Sequence, residues 1–223
     1  MRRFLKGVFI NRPSLPKYSV TWDVNLVLRH IGQGPFPHEL SDNQLASFLA
    51  TILALLSGQR GQTIHSLLIG NISLKLNCLC LKFGDLLKQS RPGYHLAEIS
   101  LPVYTENPRI CPVVLMREYL SRSREKRGQE RRLFIINIRP FRAISRDTLH
   151  KWIKSTLAES GVDTGIFSAH STRSASVCAS KVSLDTNLRT AGWSSDSTYR
   201  KHYNKPVWQG SSFAESIQRN VFS

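Results

Sequence analysis

The sequence predicts a mixed α and β, mainly helical domain, an α+β fold with one small antiparallel sheet. Three observations predict it. Apolar residues recur at helical spacing over several separated stretches, one central stretch switches to strict alternation, and turn signals fall between them. In 223 residues, 41% hydrophobic and 21% charged content is enough to bury the core of one ordinary domain, which excludes a disordered basic tail.

Residues 1–20 are rich in Arg, Lys and Pro and read as an extended basic arm, because each proline biases its predecessor away from helix. Thr21-Trp-Asp opens a first helix that runs to about His30, with Thr21 as its N-cap. Ser41-Asp-Asn-Gln opens a second, whose nearly unbroken apolar run to Leu56 predicts burial on most sides and whose stop is Ser57-Gly58. From Ile69 to Phe83 the pattern alternates through Ile72, Leu74, Leu76, Cys78 and Cys80. It resumes at Ile99, Leu101 and Val103 after the turn signal Ser90-Arg-Pro-Gly93, giving the antiparallel sheet. Helical spacing returns over Pro112 to Arg122, Leu133 to Asn137 reads as a short strand, and Ser145 caps a helix carrying Leu149, Trp152, Ile153 and Leu157. Two shorter helices follow, at about Ser171 to Lys181 and Leu184 to Ala191. The folded body is expected over 21–208, with a tail over 209–223.

Composition narrows the partners. Thirty-one Lys and Arg against 15 Asp and Glu leave a formal charge of +16, so a phosphate-rich partner leads, since basic surfaces gain affinity for nucleic acid by releasing its counterions. Leu45 to Leu56 is about half the length that spans a bilayer, and the first residues lack a signal peptide's apolar core. Secretion and membrane insertion are therefore not expected. The four cysteines, at 78, 80, 111 and 178, show no zinc-site spacing and read as buried reduced thiols; no metal and no cofactor is expected, and the compartment is cytosol or nucleus. The densest basic stretch, Arg117 to Arg132, is either a phosphate-binding patch or a solvated helix end and loop.

Several polar groups stand at element ends, where loops expose side chains on a rigid frame. Arg60 follows the buried helix in Gly58-Gln-Arg-Gly-Gln-Thr63. Lys88 sits at the hairpin tip in Lys88-Gln-Ser-Arg-Pro-Gly93. His170 and Arg173, as His-Ser-Thr-Arg, share one face at the start of a helix. Trp193, Tyr199, His202 and Tyr203 lie close together in Ala191-Gly-Trp to Tyr203. Taken singly each has an ordinary reading: a helix-dipole partner, a solvated lysine, a chance His-x-x-Arg, an aromatic contact.

In this order, Arg, hairpin Lys, His-x-x-Arg, Gly-Trp and Tyr, they resemble the catalytic domain of the tyrosine recombinase (phage integrase) family. Lys6-Gly-Val, Arg12-Pro, Thr21-Trp-Asp-Val, Ala169-His-Ser-Thr-Arg-Ser-Ala-Ser and Ala191-Gly-Trp-Ser-Ser-Asp-Ser-Thr are most similar to recombinases of DIRS-type retrotransposons. The likeness runs from about residue 6 to 208. It implies a DNA-binding, site-specific recombinase acting in the nucleus, or in the cytoplasm if prokaryotic. Double-stranded DNA is the implied partner, a tetramer on DNA the working state, and no membrane or small-molecule substrate takes part.

The chemistry gives each residue a role within that resemblance. Two guanidinium forks, Arg60 and Arg173, suit the charge that builds on the non-bridging oxygens of a phosphorane. Lys88 suits protonation of the leaving 5′ oxygen. His170 assists proton transfer or holds the phosphate, and Trp193, where many relatives have a second His, donates an indole N–H but exchanges no proton. The nucleophile is a tyrosine. Most of the family places it nine residues beyond the Gly-His or Gly-Trp position; here that is His202, and Tyr203 stands one further on, a shift the DIRS-type pattern carries. Tyr203 is the expected nucleophile and Tyr199 the other candidate, otherwise packed on Trp193. Thr63 stands where the family commonly has a carboxylate that orients the first arginine. Ser212 to Val221 is expected to form a short helix that docks on a neighbouring protomer. Full-length members carry a helical core-binding domain ahead of the catalytic one, so the alternative reading is a truncated, catalytically inactive DNA-binding remnant of a mobile element.

Overall fold

The computed structural model describes residues 18–83 and 98–180, together with Val182, Ser183, Thr186, Lys205 and Val207. Its centre is the long apolar helix the sequence places there. We number the elements in chain order: α1 (Val24–Gln33), α2 (Asp42–Ser57), α3 (Gly61–His65), β1 (Ile72–Leu74), β2 (Cys78–Lys82), β3 (Glu98–Pro102), α4 (Pro112–Ser123), α5 (Arg146–Glu159) and α6 (Thr172–Ala179). Short 3-10 turns at Ile69–Asn71 and Ala169–Ser171 lead into β1 and α6.

A capping box starts α2: the Ser41 side chain accepts from the Gln44 N–H while the Gln44 side chain accepts from the Ser41 N–H. Such caps contribute about 0.5–2 kcal/mol. Leu45, Leu49, Ile52 and Leu53 have no exposed surface, and the helix is covered by α4, α5 and α6 on successive sides. Burial on most sides is what an unstriped apolar run requires. Truncating one of these leucines to alanine costs about 2–5 kcal/mol.

The sheet is antiparallel in the order β1-β2-β3, with Leu79 opposite Leu101 and Leu81 opposite Ile99. Those four residues face the core, against α4. The alternation read through Ile72, Leu74, Leu76, Cys78 and Cys80 is broken in the middle. Leu76 is fully exposed in the β1–β2 turn, so the register resets and Leu79 and Leu81 take the core face. The cysteines keep a common face, the outward one.

Other expectations are corrected. The N-cap of α1 is Asp23, whose carboxylate accepts from the Asn25 N–H, and Thr21 is buried in a bridge to Val207. Leu133 to Asn137 forms no strand of its own; it is tied by single bridges, Leu68 to Arg132 and Ile135 to Ala143. Cys111 and Cys80 are buried thiols as expected, whereas Cys78 and Cys178 are half-buried. Tyr18 and Val20, at the end of the segment read as an arm, pack against the core. The turn at Ser90 to Gly93, the helix at Leu184 to Ala191 and the segment Ser212 to Val221 lie outside the described residues. Among those described, no helix is long and apolar enough to cross a membrane.

Candidate active site

Arg60 is delivered by the end of α2. Gly58 closes that helix in the left-handed conformation, φ 60°, where a side chain would be strained, and reverses the chain. Gln59 is buried beneath the turn. Arg60 is extended, half-buried, and forms the N-cap of α3: its carbonyl accepts from the Thr63 N–H at 2.8 Å and the Ile64 N–H at 3.1 Å. Gly61 follows, and a side chain there would have to displace a neighbour. A Cβ there would lie 2.6 Å from Nε2 of His150, which α5 sets against the Gly61 backbone. Thr63 is buried.

His170 and Arg173 come from the turn that leads into α6 and from the start of that helix. Helix α6 begins at Thr172, so His170 lies in the preceding 3-10 turn rather than in the helix as expected. Three-residue spacing still stacks the two positions, since side chains three apart eclipse in a 3-10 turn. Their surroundings differ sharply: His170 is exposed and Arg173 is 1% exposed. The turn is locked from the N-terminal side of the domain. The Trp22 indole N–H donates to Ser171 Oγ at 2.8 Å, and Ser171 Oγ donates to the Ser168 carbonyl at 2.7 Å. Tyr18 Oη lies 2.8 Å from Ser168 Oγ, with its ring 5.6 Å from that of Phe167. Trp22 was quoted from the sequence only within Thr21-Trp-Asp-Val, as a helix start and a motif of the resemblance; that it holds this turn, with Tyr18 and Ser168, was not read there.

A cavity lies between the end of α2 and the C-terminal part of α6; neither Arg60 nor Arg173 is among the residues that line it. It measures about 370 Å³ and is lined by Leu55, Leu56 and Gly58 from the end of α2 and by Ser176, Val177 and Ala179 from α6. The end of α2 that precedes Arg60 is therefore seated beside the last turn of α6. Lys205 holds its ammonium 5.5 Å from the centre of the Tyr18 ring, and Val207 pairs in parallel with Thr21. Burial pulls the Lys205 ammonium below its ordinary range. Lys88, Trp193, Tyr199 and Tyr203 lie outside the described residues.

The basic stretch from Arg117 to Arg132 does something the sequence did not suggest. Arg122 is a clamp: Nε donates to Glu118 at 2.7 Å, Nη1 to the Leu40 carbonyl at 2.6 Å and Nη2 to the His38 carbonyl at 2.7 Å. Lys126 pairs with Asp42, and with Arg122 it holds that carboxyl below the usual range. Arg127 is buried, donating to the Arg132 and Leu133 carbonyls and to Ser123 Oγ, and burial lowers its guanidinium. Arg132 donates to the Ser66 carbonyl. Only Arg117, Arg124 and Arg131 of the seven cations are exposed, so the run is chiefly internal scaffolding rather than a phosphate patch or a solvated loop.

Helices around a buried α2, with a three-stranded sheet at one side, match solved structures. The XerH site-specific recombinase bound to its difH substrate, in a pre-cleavage complex, superposes with a TM-score of 0.64 at 14% identity, over 94% of this chain and 54% of that one. The fold is that of the tyrosine recombinases. XerA recombinase gives 0.58 at 14% identity over 95% and 65% of the two chains. A lambda integrase dimer bound to a COC′ core site gives 0.52 at 19% identity over 92% and 68%. The chain thus spans about half to two thirds of the length of the recombinases XerH and XerA. By sequence, no family model and no curated protein matches it.

Proposed function

We propose that this chain is a tyrosine recombinase catalytic domain, nearest in its motifs to those of DIRS-type retrotransposons, that cuts and rejoins double-stranded DNA without metal or nucleotide cofactor. The Tyr203 phenol passes its proton to His170 as its oxygen attacks a backbone phosphorus, and the bond to the 5′ oxygen breaks. A 3′-phosphotyrosyl ester results, and Lys88 protonates the leaving oxygen. Arg60 and Arg173 stabilise the charge on the non-bridging oxygens, while His170 and the Trp193 N–H hold the phosphate. A 5′-hydroxyl from a partner strand then reverses the chemistry, with four protomers arranged on the DNA.

The observation that carries this reading is the return of the chain beyond Tyr203 to the His-x-x-Arg turn. Lys205, two residues after Tyr203, lies against Tyr18, and Val207 pairs with Thr21; Tyr18 and Trp22 are the residues that hold Ser168 and Ser171. An arginine enclosed by the fold before substrate arrives supplies preorganised charge, and the +16 excess supplies general affinity for duplex DNA.

The test is covalent trapping on a nicked suicide duplex. The protein is expected to form a denaturant-resistant adduct that Tyr203→Phe abolishes. An adduct that survives Tyr203→Phe refutes the nucleophile assignment, and tight duplex binding with no adduct from the native chain establishes the inactive remnant instead.

A further inference from the structure

The outward face of the sheet carries a chemistry that strand cleavage does not use. Cys78 and Cys80 are two apart on β2, so the pleat turns both side chains away from the core-facing Leu79 and Leu81. Their sulfurs are 3.6 Å apart. Cys78 is half-buried and forms the open side of the pair; Cys80 lies beneath it, paired with Ser73 on β1 and Ser100 on β3, with Ser100 Oγ 4.0 Å from its sulfur.

We infer that Cys78 and Cys80 form a two-thiolate site for a soft monovalent cation of the copper(I) class. Strand geometry argues against the competing outcome, a disulfide. Residues two apart on a strand have Cα atoms about 6.6–6.8 Å apart, at the upper edge of the roughly 4.4–6.8 Å that a disulfide accepts. Closing it would shorten β2 where it is hydrogen-bonded on both sides. A bridging ion leaves the strand extended. The ligand count then selects the ion. Among the described residues no group of three or more His, Cys, Asp and Glu is placed to hold a metal, so a cation that needs four ligands is poorly served, while a soft one is satisfied by two thiolates.

Binding exchanges the two thiol protons for the metal. Two S–H bonds break, two S–Cu bonds form, two protons leave and no electron is transferred. The bound unit carries one net negative charge and sits between the opposed charges of Lys75 and Glu98.

The experiment uses the full chain, reduced and free of oxygen, with copper(I) supplied from a chromogenic competing chelator and zinc(II) in a parallel arm. One equivalent of copper is expected to be retained with a thiolate-to-copper ultraviolet band. Affinity should fall at least tenfold in both Cys78→Ser and Cys80→Ser, stay unchanged in Cys111→Ser/Cys178→Ser, and zinc should pass through. Copper retention unaltered by Cys78→Ser/Cys80→Ser, zinc held as tightly as copper, or a Cys78–Cys80 disulfide forming in air with no uptake by the reduced protein would each overturn the assignment. None of these readouts depends on DNA cleavage.

Discussion

The Trp22 indole N–H and Ser171 Oγ meet at 2.8 Å, inside the domain, across 149 residues of sequence. The bond fixes the turn that carries His170 by a residue far from any catalytic motif. Trp22→Phe keeps most of the apolar bulk and removes the donor. Loss of one buried hydrogen bond should lower unfolding free energy by about 1–2 kcal/mol in urea titrations. Cleavage should fall more than DNA affinity does, because the turn loosens while the phosphate contacts stay.

Gly61→Ala places a methyl 2.6 Å from the His150 imidazole. The imidazole is the exposed end of its side chain, so it moves aside, and the Arg60 turn moves with it. We expect Gly61→Ala to be destabilising and His150→Ala nearly neutral, with the double variant more stable than the sum of the two. A double-mutant cycle of about 0.5–3 kcal/mol measures the relief; strict additivity would show that the two residues do not share the space.

Arg122→Lys retains the charge and loses the fork that spans Glu118, Leu40 and His38. Stability should drop by about 1–3 kcal/mol, with duplex affinity and its salt dependence almost unchanged. A phosphate-binding role would give the opposite pattern, weaker binding and a shallower salt slope.

Arg173→Lys keeps a cation in an enclosed position but cannot grip two phosphate oxygens at once. Single-turnover cleavage should fall by about 10²–10³-fold, with affinity for uncleaved duplex changed only a few-fold, since that affinity is spread over many contacts.

Asp42 gives the protein an acid limb. Its folded carboxyl is held low, first by the hydrogen bond from Lys126, so as pH falls the unfolded chain takes up the proton before the folded one does. The stabilisation is complete above the unfolded carboxyl range, near 3.9, and is lost as pH falls through the folded value. Asp42→Asn should therefore flatten the dependence of the urea midpoint on pH below about 4.

Long-period features were readable from sequence. The unbroken apolar run over Leu45 to Leu56 announced a buried helix, Ser41 and Gln44 announced its capping box, and alternation announced the sheet. Strand phase was not readable across Lys75 to Asn77: a turn there resets the inward face, and Cys78 and Leu79 are equally good strand residues on either face. Leu133 to Asn137 carries strand residues but finds no continuous edge to pair with. The basic run misled because charge along a sequence does not show which guanidinium reaches a carbonyl; Arg122 and Arg127 are bound to backbone that is distant or folded back. At the candidate site, Arg60 and Arg173 were readable as parts of a resemblance. Their setting was not, because the bond from Trp22 and the place left by Gly61 for His150 exist only once helices have packed.

The pairing of Thr21 with Val207 makes the folded body nearly circular, with its two ends a ladder's width apart. A short linker between those ends would close the ring at little entropic cost. New termini could then be opened at the fully exposed Leu76 turn, and such a permuted chain should retain the same packed interior while starting and finishing between β1 and β2.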